Sequence, residues 1–304
     1  MKHSFRTRIT AAALTLALTA GGAGLLFAAR AAEAAARVPL QSGVTVLSNA
    51  KAAVDASNLS EGFVQVKYTG GKQVRIKVQI AKSGGPTYTY NLNNTGSYET
   101  FPLTEGDGVY TIKVLENTTG TKYAQAYSTS VTLTLRDPFL PFLYPNQYVN
   151  FTDTSATVAK GKEIVQAAGA ADDLSKVSAV FNWVTNNFTY DYDLAANPPV
   201  GYLPVVDNVL AARKGICFDY TAVMASMLRS QNIPCKLVVG YAGKVYHAWI
   251  DVYVKGVGWV RNAIYFDGKS WTMMDPTFVS TGKGSASIMK YVTTPSNYSQ
   301  KYAY

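Results

Sequence analysis

Between Val44 and Leu135 apolar and polar residues alternate with a period of two, in runs rich in β-branched and aromatic side chains. The clearest are Phe63 to Tyr68, Val74 to Ile80, Tyr110 to Leu115 and Val131 to Leu135. Turns punctuate them at Gly70-Gly71, Gly84-Gly85-Pro86, Gly106-Asp107-Gly108 and Thr119-Gly120. This pattern predicts a small antiparallel β-sandwich over residues 37–136. It carries no cluster of His, Cys and paired acids, so a spacer or binding module is expected.

The pattern then changes twice. Over 137–150, Pro138, Pro141 and Pro145 interrupt Phe139, Phe142, Leu143 and Tyr144, which predicts a linker too apolar to swing free. From 151 to 304 helical periodicity appears, first over Thr157 to Ala168 and then over Leu174 to Asn186, where Val177, Val180, Phe181 and Val184 form a stripe. Asn197-Pro198-Pro199 forces a loop, and Asp207 to Lys214 reads as a short helix. Phe218 to Ser230 is apolar on nearly every side, which predicts a helix at a domain centre. Strands are expected at Lys236 to Tyr241 and Tyr246 to Val254, followed by a hairpin with its turn at Asp267-Gly268.

The first residues differ from all of this. Lys2, Arg6 and Arg8 precede an uncharged run from Ile9 to Ala29, and small-residue sites follow up to Ala36. Residues 1–36 are therefore expected to be a secretory signal peptide, with the remainder secreted or associated with the cell surface and no membrane partner after cleavage. An uncleaved anchor is the structural alternative, which Gly21, Gly22 and Gly24 disfavour.

Composition narrows the chemistry. Only 15% of the 304 residues are charged, and the net charge of +9 is not gathered into a Lys/Arg run, so a nucleic-acid partner is not expected. There is no metal-ligand spacing, phosphate-cradling Gly loop or nucleotide fingerprint, and no cofactor is implied. Two cysteines, Cys217 and Cys235, flank the central helix. A helix of that length carries the chain roughly 20 Å, beyond the ~7 Å Cα separation that a disulfide tolerates, so both thiols are expected free.

Cys217 sits at the start of that helix, where unpaired N–H groups and the helix dipole favour a thiolate. His247 is presented from a strand on one face with Trp249, Asp251 and Tyr253, and Asp275 follows the last hairpin strand. A thiol nucleophile needs a base and a group that holds the imidazole tautomer; Cys217, His247 and Asp275 fit those roles in order. A thiolate–imidazolium pair would lower the pKa of the thiol and raise that of the histidine. Trp183, Tyr190, Tyr246 and Trp249 are candidates for the cleft wall or, through an indole N–H, for assistance to an oxyanion, although core packing is the favoured role for each. Asp219 is expected to stabilise the helix start, with tuning of the thiol as its second role.

The blocks Gly-Ile-Cys-Phe-Asp-Tyr-Thr (215–221), Asn-Ile-Pro-Cys-Lys-Leu-Val-Val-Gly-Tyr (232–241), Tyr-His-Ala-Trp-Ile-Asp-Val-Tyr-Val (246–254) and Met-Met-Asp-Pro-Thr-Phe (273–278) resemble transglutaminase-like domains. The resemblance covers roughly 177–278 and implies an α+β fold, a papain-like transglutaminase core, with Cys217, His247 and Asp275 as its triad. It implies an acyl-transfer enzyme acting on amide bonds of an extracellular peptide, protein or cell-wall peptide substrate, with hydrolysis by a peptidase or amidase favoured over amine cross-linking. Two departures stand out: the His247 to Asp275 interval is long, and Cys235 follows Ile-Pro where a small residue is usual. From a different class, the alternative is a non-catalytic adhesion or wall-binding protein that keeps the papain-like domain as a scaffold.

Overall fold

The computed structural model describes residues 36–242, 244–266, 271–273 and 298–304. The leader expected over residues 1–36 and Asp275 lie outside these, apart from Ala36. Among the described residues helix and sheet are mixed, with two antiparallel sheets preceding a helical and sheet-forming part. Among the described residues no helix is long and apolar enough to cross a membrane.

The alternating runs become two four-stranded antiparallel sheets. One is ordered β1 (Val46–Ser48), β2 (Ala52–Asp55), β3 (Phe63–Tyr68) and β6 (Glu99–Pro102). The other is ordered β5 (Thr87–Leu92), β4 (Ile76–Lys82), β7 (Gly108–Thr119) and β8 (Lys122–Leu133). Period-two geometry sends Val64, Val66 and Phe101 from the first sheet, and Val78, Ile80, Tyr90, Ile112 and Val114 from the second, into one core. Within it Glu116 is buried, and it accepts hydrogen bonds from Tyr68 Oη (2.7 Å), Lys72 Nζ (2.8 Å) and Lys51 Nζ (3.2 Å). The lysines hold its carboxyl down at about 2.

The Pro-interrupted segment packs instead of hanging free. A 3-10 turn at Leu140–Phe142 buries Leu140, Pro141 and Phe142, and the Phe139 ring lies 4.1 Å from that of Tyr253. Pro141 fits because Gly62, at φ +84°, has no side chain; a Cβ there would meet the proline ring.

Beyond it come α1 (Ala156–Ala167), α2 (Asp173–Asn187), the two-residue β9 (Thr189–Tyr190), α3 (Tyr192–Ala196), α4 (Val206–Ala212), β10 (Lys214–Gly215) and α5 (Cys217–Ser230). Helix α5 is the expected central helix: every residue from Asp219 to Ser230 is buried. Gly161 of α1 permits the closest approach, since a Cβ there would come within 2.9 Å of Met227 Cβ. On its other side α5 packs against a five-stranded antiparallel sheet. Its order is β14 (Trp271–Met273), β13 (Gly258–Phe266), β12 (Val245–Val254), β11 (Cys235–Ala242) and β15 (Tyr298–Ala303). Ala248, Ile250 and Val252 join the main core, while Trp249 forms a separate small cluster with Val238 and Ala303, as period two requires.

Buried Arg229 ties these parts together. Its guanidinium donates to the main-chain oxygens of Tyr144 (2.8 Å), Cys235 (2.8 and 3.1 Å) and Tyr304 (2.6 Å). It thereby joins the linker, the end of α5, the start of β11 and the residue after β15.

Candidate active site

The site is assembled at the first turn of α5, and the residues just before it explain how. A parallel bridge pairs Gly215 with Tyr190, and Asp191 N–H donates to the Gly215 carbonyl at 2.9 Å. This stitch brings Tyr190, the last residue of the strand after α2, alongside the helix start. Asp219 folds back so that its Oδ2 accepts the Ile216 N–H at 2.8 Å, while Oδ1 accepts from the Tyr202 hydroxyl at 2.7 Å. Gly215 leaves the room for it, since a Cβ there would come within 2.8 Å of Asp219 Oδ2. Asp219 is thus a capping group that fixes the helix start and anchors the loop carrying Tyr202.

Cys217 is the first residue of α5, as the apolar pattern and the Gly-Ile-Cys start suggest, and is partly buried. Around its Sγ stand the Ala248 and Phe218 N–H groups and the Tyr190 hydroxyl. These donors favour a thiolate. Burial outweighs them, however, and pushes the Cys217 thiol up. The helix start alone led to the opposite expectation, because the dipole is visible in the local sequence and desolvation by distant strands is not. Both cysteines are free, and Cys235 is fully buried with its Sγ on the Ala225 carbonyl at 3.6 Å.

His247 lies on β12 opposite Gly240 and is 8% exposed. The N–H of Ala248, the residue that follows His247, favours the Cys217 thiolate, and Cys217 and His247 both line one cleft of about 570 Å³. Gly240 has a steric reason to be glycine: a Cβ would collide with the main-chain oxygen of Ser299 and lie 2.9 Å from the Trp249 ring. Strand β13 separates β14 from β12, and the register sets Met273 against Ile264 and Ile264 against Ile250.

Of the aromatic residues picked out from sequence, Tyr190 and Tyr246 line the cleft. Trp183 packs on Phe188 with Lys160 and Arg213 over its ring, and Trp249 is buried beside Val238, so both have packing roles. Sequence reasoning missed Tyr148, Tyr202, Tyr302 and Tyr304, which complete the wall. The alternation in Tyr298-Ser-Gln-Lys-Tyr-Ala is the one local signal that could have indicated a final strand. Among the described residues no group of three or more His, Cys, Asp or Glu is arranged to hold a metal ion.

Residues 162–264 match the family model described as the transglutaminase-like superfamily. Two curated proteins are similar over part of the chain. The uncharacterized protein YebA of Bacillus subtilis is 24% identical over 138 residues, covering 39% of this chain and 19% of that protein. Kyphoscoliosis peptidase of Mus musculus is 26% identical over 123 residues, covering 36% of this chain and 16% of that protein. The chain thus spans less than a fifth of either relative's length. A solved structure, red sea bream transglutaminase, is 12% identical with a TM-score of 0.29, covering 73% of this chain and 49% of that one. The match to the transglutaminase-like superfamily thus runs over residues 162–264, the stretch that carries Cys217 at the start of the central helix and His247 on strand β12.

Proposed function

We infer that the protein is a thiol acyl-transfer enzyme that cleaves amide bonds of extracellular peptides or proteins, with Cys217 as nucleophile, His247 as base and Asp275 as the carboxylate that orients the imidazole. One observation carries the reading: Cys217 and His247 line the same cleft, together with Ala248, the residue that follows the histidine. The block Met-Met-Asp-Pro-Thr-Phe supports Asp275, and the basic, apolar leader over residues 1–36 supports an extracellular setting.

Because burial disfavours a free thiolate, the thiol proton leaves during the attack. His247 takes the proton as Sγ bonds to the substrate carbonyl carbon and the carbonyl π electrons move to oxygen. The Cys217 N–H and the Tyr190 hydroxyl, whose residues both line the cleft, are suited to receive that oxyanion. As the tetrahedral adduct collapses, the C–N bond breaks and His247 returns the proton to the leaving amine, leaving a thioester. Water activated by His247 then adds to the thioester, releasing the acid and regenerating the thiol.

The test is incubation of the protein with a peptide library, with and without a primary amine, reading products by mass. Cleaved amides that need Cys217 and gain the mass of water support hydrolysis. Products that carry the added amine would reassign the enzyme to cross-linking, and the absence of any Cys217-dependent product would overturn the reading.

A further inference from the structure

The cleft wall is notable for its chemistry. Tyr190, Tyr202 and Phe218 border Cys217 from the helical side, while Tyr246, Tyr302 and Tyr304 border it from the sheet. Tyr148, from the linker, completes the sheet side by stacking on Tyr304 with ring centroids 3.7 Å apart and planes 14° from parallel. Among the described lining residues no Asp, Glu, Lys or Arg is present, although the chain as a whole carries a net charge of +9. The mouth is also apolar. Tyr246 is 56% exposed and Val200, between the lining residues Pro199 and Gly201, is fully exposed.

Such a slot discriminates by two physical effects. A charged side chain drawn into it loses hydration and finds no counter-charge among these residues. A planar ring loses little conformational entropy and gains edge-to-face or offset contacts with phenol rings, which an aliphatic chain does not. The phenol hydroxyls do not change the sign of this argument, because burial raises the pKa values of Tyr190, Tyr202 and Tyr304 and keeps them neutral.

We propose that the acyl donor is an uncharged peptide segment with an aromatic side chain beside the scissile amide, held between the two tyrosine-lined walls. The proposal rests on the thiol acyl-transfer reading above and adds the substrate class to it. Tyr246 is the natural specificity residue, since it is adjacent to His247, lines the cleft and is exposed enough to be replaced without disturbing the core.

The experiment uses the whole protein and a matched set of short peptides that differ only in bearing Phe, Leu, Lys or Glu on either side of one scissile amide. The reading is kcat/KM for each and the acylation of Cys217 by intact mass. The Phe peptides are expected to exceed the Lys and Glu peptides by roughly tenfold or more, with Leu between them. Tyr246→Glu is expected to raise the Lys-to-Phe ratio by about fivefold or more, since it introduces the missing counter-charge. Acylation of Cys217 with no preference among side chains, or with a preference for charged ones, would overturn this inference and leave the acyl-transfer reading intact. An unchanged ratio in Tyr246→Glu would also count against it. Failure of every peptide to acylate Cys217, together with an inert thiol, would overturn the acyl-transfer reading itself and this inference with it.

Discussion

The Arg229 Nη2 lies 2.6 Å from the main-chain oxygen of Tyr304, 75 residues away in sequence, and the same guanidinium also holds the carbonyls of Tyr144 and Cys235. A buried cation here is stabilised by carbonyl dipoles, and each carbonyl would be left wanting a donor without it. Arg229→Met keeps the volume but removes every donor. It is expected to lower stability by about 3 kcal/mol or more, read as a fall in the urea midpoint. Arg229→Lys should recover only part, because an ammonium lacks the planar fork that serves several carbonyls at once.

Glu116 is the clearest acid-sensitive point of the sandwich. Its carboxyl, held near 2 by Lys72, Tyr68 and Lys51, is depressed relative to the unfolded chain. A depressed carboxyl contributes stability that is present above the unfolded pKa of about 4.5 and is lost as pH falls through the folded value near 2. Both lysines are about half exposed, so screening limits the gain. Glu116→Gln should therefore cost about 1–2 kcal/mol at pH 7 and flatten the dependence of stability on pH between those two values, as thermal melts across pH will record.

The two thiols should separate cleanly. Cys217→Ala is expected to abolish amide cleavage with little change in melting temperature, since alanine favours the helix, whereas Cys235→Ala should retain most activity. Cys235 is fully buried and points at a carbonyl, so its loss is felt through packing. A thiol-directed probe should label Cys217 much faster than Cys235 in the native protein. Comparable labelling of both would remove Cys217 from its role.

Burial that pushes a thiol up also sets a pH profile. The thiolate fraction of Cys217 grows only as pH rises through its raised value, so alkylation in the absence of substrate should still be climbing above pH 8. Tyr190→Phe removes one donor from the sulfur and should move that rise further toward high pH. A rate that is flat from pH 6 upward would mean a preformed thiolate–imidazolium pair instead.

Gly240→Ala tests the sheet beneath the histidine. The added methyl group meets the Ser299 oxygen and the Trp249 ring, so β15 must move away from β11 or the variant must lose stability, by about 2 kcal/mol. Because Gly240 is the register partner of His247, activity should fall by more than the change in folded fraction explains. Paired unfolding and kinetic measurements will show the difference.

What was legible in the sequence was local. Period two disclosed the strands of the sandwich, and the apolar stretch after Cys217 disclosed α5, because both signals are carried by residues close in the chain. The placement of Cys217 at a helix start and His247 on the neighbouring strand followed from the same reasoning. Tyr148 and Tyr304 were not legible, since they lie 156 positions apart and meet only after β15 pairs with β11. Arg229 was equally silent: a basic residue in the last turn of a helix ordinarily faces water, and only tertiary packing converts it into a buried donor. The thiol direction differed for the same reason, because the dipole belongs to the helix and the desolvation belongs to the whole fold.

The cleft wall includes Thr89 from the sandwich and Tyr148 from the linker, alongside residues of the helical and sheet layers that follow. The Ala303 N–H, moreover, reaches the hydroxyl of Tyr88 in the sandwich at 3.3 Å. The amino-terminal module is therefore not cargo that evolution or an engineer could exchange freely. Grafting residues 151–304 onto another carrier would transplant Cys217 and His247 but leave Thr89 and Tyr148 behind, so the wall of the cleft is inherited jointly by two modules and would have to be transferred as a pair.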